Sequence, residues 1–105
     1  MNEPTPQEWQ GITRLVADLR GRGVQAAEVQ RALRYWQQHP NPSWEVLDTW
    51  LGQMQRSPWA GGRDAQRRYA ALRDVLRVLR RRAGGEAFSP QRGALILGMA
   101  VRLLK

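Results

Sequence analysis

The chain has 105 residues, no cysteine and a formal net charge of +8. A fold of this length buries roughly 65% of the surface its unfolded chain exposes, enough for a core without staples, and the lack of cysteine excludes disulfides and thiolate metal sites. The start Met1-Asn2-Glu3-Pro4 is acidic where a secretory leader is basic and then apolar, and the most apolar stretch, 94–104, is far short of the ~20 residues that span a bilayer, so the expectation is a cytoplasmic protein without a membrane anchor.

Helical spacing recurs along the chain and period-two alternation does not. The first helix opens at Thr5-Pro6-Gln7-Glu8, a cap, a proline at the first helical position and a glutamate that completes a capping box. Its apolar stripe is Trp9, Ile12, Val16 and Leu19, and Gly21 and Gly23 end it. A second helix is expected from about Gln25 to Gln38, with Val29, Leu33 and Trp36 on one face, stopped by His39-Pro40-Asn41-Pro42. Ser43 caps a third, which carries Trp44, Leu47, Leu51 and Met54, with Trp50 beside that stripe. After a loop over 57–62, a fourth helix runs from about Asp64 to Arg82 on Tyr69, Leu72, Leu76 and Leu79, and Ala83-Gly84-Gly85 breaks it. The fifth starts at Ser89-Pro90 and runs to the end. Its residues 94–104 leave almost no polar face. Such a helix is either a central core element or a surface for a protein partner or a second copy, with Ala94 and Gly98 permitting close approach. The spacing therefore predicts an all-α bundle of five helices with short connections, mostly antiparallel neighbours and one domain over 1–105.

Charge divides this domain unevenly. Residues 1–61 hold six Arg and six acids, whereas 62–105 hold eleven basic residues against three acids. Sixteen of the seventeen basic residues are Arg, whose planar fork grips phosphate bidentately and stacks on bases. At 100° per residue Arg63, Arg67, Arg77 and Arg81 fall opposite the leucine stripe of the fourth helix. Arg73 and Arg80 lie on one flank, Arg68 and Arg82 on the other, with Asp64 and Asp74 interrupting. Cations this dense repel one another unless an anion or acids elsewhere in the fold offset them. The readings are a solvated charged face, a surface for an acidic protein, and a polyanion site in which Arg63, Arg67, Arg73, Arg77, Arg80 and Arg81 contact phosphates.

The tryptophans sharpen this. Trp9, Trp36 and Trp44 sit on apolar stripes and are expected in the core. Trp59 lies in a Pro/Gly loop directly before the Arg-rich helix, where its indole stacks on an unpaired base, anchors a partner, or folds back over the bundle. Tyr35, near Arg31 and Arg34, is a weaker candidate of the same kind. Gly23-Val24, Val29, Arg31 and Leu33 stand where a helix-turn-helix places its turn glycine and recognition-helix positions, and this fifth of the chain resembles that motif. The resemblance implies that Gln25, Ala26, Gln30 and Arg34 face a DNA groove. The chain departs from the pattern at Leu19, where the motif has Ala, and in the extra Gly21-Arg22.

Enzyme chemistry finds no set of residues here. His39 is the one histidine and has no cysteine to share a metal, no phosphate-binding Gly-rich loop occurs, and the sole lysine is Lys105. Glu45 and Asp48 share a helix face, an arrangement that suits the dipole at a helix start. The sequence points to a non-catalytic nucleic-acid-binding protein without metal or cofactor. The competing reading is a small accessory or regulatory subunit docking on a protein or ribonucleoprotein. Helical small subunits of RNA-guided defence effectors are similar in size and composition.

Overall fold

The computed structural model describes residues 3–83 and 89–105. Among them the chain forms five α-helices and no strand: α1 (Pro6–Gly21), α2 (Ala26–Gln38), α3 (Trp44–Met54), α4 (Arg63–Ala83) and α5 (Pro90–Leu104). One 3-10 turn, Pro58–Ala60, lies within the stretch expected to be a plain loop. The expected break at Gly84-Gly85 lies outside the described residues.

Local chemistry sets each boundary. Thr5 Oγ1 accepts the Glu8 N–H and the Glu8 carboxylate accepts the Thr5 N–H, closing the capping box. Gly23, at φ 75°, ends α1 in a Schellman motif: its N–H donates to Arg20 O and the next N–H, from Val24, donates to Leu19 O. Val24 is then buried, the apolar contact that accompanies this turn. Ser43 and Ser89 cap α3 and α5 through their hydroxyls.

One hydrophobic cluster joins all five helices. Helix α5 packs on α2 and α1, while α4 packs on α3 and α1. Contacts at matching ends make α1 and α5 parallel, since Glu8 pairs with Arg92 at their starts and Arg20 donates to Leu103 O at their ends. This pair is the exception to the expected antiparallel neighbours. Leu33 lies beside Gly98 and Trp36 beside Gly93, so α2 runs antiparallel to α5.

Several expected core positions moved. Trp9 is 41% exposed and Leu15 takes its place in the core of α1, because the buried face is Ile12, Leu15, Val16 and Leu19. Trp36 and Trp44 are buried as expected and tilt against each other at 4.7 Å. The tight backbone approach on α5 occurs at Gly93, whose absent Cβ leaves room for both indoles, and not at Ala94 and Gly98. Helix α5 buries Ile96, Leu97, Ala100 and Val101, which makes it a core helix on that side; Leu103 stays 45% exposed.

Candidate nucleic-acid interface

Three of the six arginines expected to contact phosphate already hold carboxylates of the same chain. Asp48 sits one turn into α3, facing α4, and accepts from Arg73 Nε at 3.1 Å and Nη2 at 2.9 Å. It also accepts from Arg77 Nε at 2.8 Å and Nη2 at 3.0 Å. Two guanidinium forks on one carboxylate hold its pKa well below the usual carboxylate range, the Arg77 and Arg73 hydrogen bonds outweighing desolvation. Arg80 Nη2 reaches Glu45 at 2.6 Å, and that hydrogen bond lowers the Glu45 pKa as well. Gly52 makes room for this clamp, since a Cβ there would stand 2.7 Å from Arg73 Nη1. Glu45 and Asp48, the one carboxylate pair on a shared face, are thus both occupied and held ionised, unsuited to giving up a proton.

Two further long-range pairs follow the same rule, whereas Arg22 and Asp74, 3.8 Å apart, pair in the opposite sense. Arg68 Nε meets the buried Glu28 at 2.6 Å, and Arg92 meets Glu8. Five of the eleven basic residues of 62–105 therefore neutralise acids of 1–61. The charge that is segregated along the sequence is interleaved in space.

What is left over defines the candidate site. Arg63 and Arg67 are exposed and have no partner among the described residues, although they stand one turn apart and repel each other. Immediately before them Trp59 is 89% exposed, held out by the 3-10 turn whose start is fixed by Ser57 Oγ accepting the Trp59 N–H at 3.1 Å. Gly61 and Gly62, at φ 113° and 104°, swing the chain from that turn into α4. Gln66 Nε2 donates to Ser57 O at 2.8 Å and ties the turn to the helix.

Beside the turn runs a groove of about 460 Å³ lined by Thr49, Gly52, Gln53, Arg56, Ser57 and Arg73. Arg56 is exposed and unpaired among the described residues. It went unremarked in the sequence because it lies just past the acidic α3, in the part of the chain, 1–61, whose charges balance; its position three residues before Trp59 was the signal available. Arg81 is exposed too, but 18 residues of helix, about 27 Å, separate it from Arg63. The ridge between them carries Ala70 and Asp74, so the fold brings together Trp59, Arg63 and Arg67 and leaves Arg81 remote.

The other candidates fare differently. Tyr35 is stacked on Trp50 at 4.9 Å and 14°, so that face of its ring is taken. Gln25, Gln30 and Arg34 are exposed but Ala26 packs against the core, and α2 rests on α5 and α3 instead of lying across α1 as a helix-turn-helix pair requires. A second, larger groove of about 790 Å³ separates α1 from α4, with Leu15, Val75, Val78 and Leu79 among its walls and Arg14, Asp18 and Arg82 among its rim. Among the described residues no three His, Asp or Glu side chains converge, and no helix is long and apolar enough to cross a membrane. The class defined so far is an all-α globule with an aromatic and cationic surface at one helix start. Comparison with protein-family models, curated proteins and solved structures finds no match.

Proposed function

We propose that this protein is a non-catalytic nucleic-acid-binding module that contacts the phosphate backbone through the start of α4. The observation that carries this reading is the pair of unpartnered arginines, Arg63 and Arg67, directly after the exposed Trp59, on a helix whose Arg68, Arg73, Arg77 and Arg80 are matched to acids. A cation without a carboxylate is free to replace the counterions of a phosphate chain.

The test is fluorescence anisotropy with labelled oligonucleotides at 50 and 200 mM salt, comparing wild type with Arg63→Glu/Arg67→Glu. Engagement of about three phosphates by Arg56, Arg63 and Arg67 lowers affinity roughly 20-fold to 40-fold across that salt range; six phosphates would lower it about a thousandfold. The double variant is expected to lose binding while keeping its helical circular dichroism. Charge reversal at Arg73, Arg77 and Arg80 is the wrong test, because it sets new carboxylates against Asp48 and Glu45 and unfolds the α3–α4 contact. Salt-insensitive binding, or binding untouched in the Arg63/Arg67 variant, rejects the reading.

One observation favours the second reading, an accessory subunit with a protein partner. The α1–α4 groove has apolar walls and a charged rim of both signs, with the exposed Trp9 on the same helix, features found at protein interfaces. Tight association with a protein that is lost on Val78→Arg and indifferent to Arg63→Glu would decide for it.

A further inference from the structure

We infer that the ligand is a single strand, held by a base stacked on Trp59 while Arg63 and Arg67 grip the adjoining phosphates. This rests on the nucleic-acid reading above and names the form of nucleic acid it requires. An indole that is 89% exposed offers a whole π face, and in a duplex the faces of the bases are covered by their neighbours. Only an unpaired base has a face to give.

The rest of the surface points the same way. A duplex lying along α4 would meet Asp74 at the middle of the exposed ridge, an acid that Arg22, 3.8 Å away and itself half-exposed, and the neighbouring Arg77 face. The cations beyond it, Arg77 and Arg80, are held by Asp48 and Glu45. The unpaired cations that adjoin Trp59 in the chain are therefore few, Arg56, Arg63 and Arg67, while the exposed and unpaired Arg31 and Arg34 lie on α2 and Arg81 and Arg82 at the other end of α4. That footprint suits a few nucleotides of flexible strand and not the long rigid backbone of a duplex. Arg63 and Arg67 differ by about 6 Å of helix rise. The backbone at Gly62 is open, with nothing within 4 Å of the place a Cβ would take, and this leaves space for a strand to pass between the two arginines and the indole.

The experiment uses the full chain and four probes of equal length: a deoxythymidine 20-mer, a uridine 20-mer, a DNA duplex, and an abasic 20-mer that has the phosphates without bases. Wild type is expected to bind the two base-bearing strands in preference to the duplex and the abasic strand. Trp59→Ala should weaken single-strand binding between about 5-fold and 100-fold and leave the duplex affinity alone, while Trp59→Phe, which keeps a ring, retains most of it. Because Trp59 is almost wholly in solvent, both variants fold as the wild type does, which circular dichroism checks. Equal binding of all four probes, dependent on Arg63 and Arg67 but indifferent to Trp59→Ala, overturns the single-strand inference and leaves backbone binding standing. No binding of any probe at 50 mM salt overturns both.

Discussion

At the scale of single residues, two glycines of one helix have opposite meanings. A methyl at Gly93 would sit 2.7 Å from Trp44 Cζ2 and 2.9 Å from Trp36 Cη2, inside the buried indole pair. Gly93→Ala is therefore expected to cost about 1–3 kcal/mol by overpacking, read from the urea midpoint. At Gly98 the nearest atom is Leu33 Cδ2 at 3.9 Å, an ordinary contact. Gly98→Ala should stabilise by up to about 1 kcal/mol, because glycine is a poor residue for a helix interior. Equal effects at the two positions would contradict the packing described. The sequence marked Gly98 and passed over Gly93, since which face of an almost wholly apolar helix turns inward is settled by its neighbours.

Elements meet here through carboxylates at helix starts. Glu8, Glu28 and Glu45 each lie in the first turn of a helix and each accept an arginine from the second part of the chain. Capping boxes explain why Glu8 and Glu28 stand where they do, as was legible from Thr5-x-x-Glu8, and the helix dipole favours Glu45 at its start. The second partner was not, because it lies 35 to 84 residues away. The α3–α4 contact adds Asp48, which gathers Arg73 and Arg77. Arg73 is the more enclosed of the two, with 19% of its side chain exposed, so Asp48→Asn leaves a nearly buried cation short of its acceptor. The expected loss is about 2 kcal/mol at neutral pH, measured by urea unfolding. A change below about 0.5 kcal/mol would mean that the clamp contributes little beyond apolar packing.

For the molecule as a whole, the same carboxylates fix the response to acid. Glu8 is lowered from 4.5 to about 2, chiefly by the Arg92 hydrogen bond, and Asp48 and Glu45 are lowered by Arg77 and Arg80. A carboxylate whose folded pKa is depressed stabilises the fold above its ordinary pKa and loses that contribution as pH falls through the folded value. Stability should therefore hold from pH 7 to about 5 and fall between about 4.5 and 2, while protonation of the acids raises the net positive charge and its self-repulsion. Glu8→Gln is expected to be less stable than wild type at pH 7, with the two urea midpoints converging toward about pH 2. Parallel curves would show that Glu8 does not carry the dependence.

Sequence by itself determined the five helices, the caps Thr5, Ser43 and Ser89, the glycine stop of α1, and the isolation of Trp59 in a short Pro/Gly connection, because hydrophobic period, capping and positive φ are properties of a few neighbouring residues. It also set the pairing requirement, since eight arginines in twenty residues must find anions somewhere. Only the tertiary structure decided which of them do so inside the molecule. Arg73 and Arg80 are on the flank that α3 covers, and Arg77, more exposed at the edge of that flank, reaches over to Asp48, whereas Arg63 and Arg67 start the helix beyond the end of α3 and meet no acid among the described residues. A charge pattern on one helix fixes directions around its axis. Which of those directions another helix fills depends on how the whole chain packs its core.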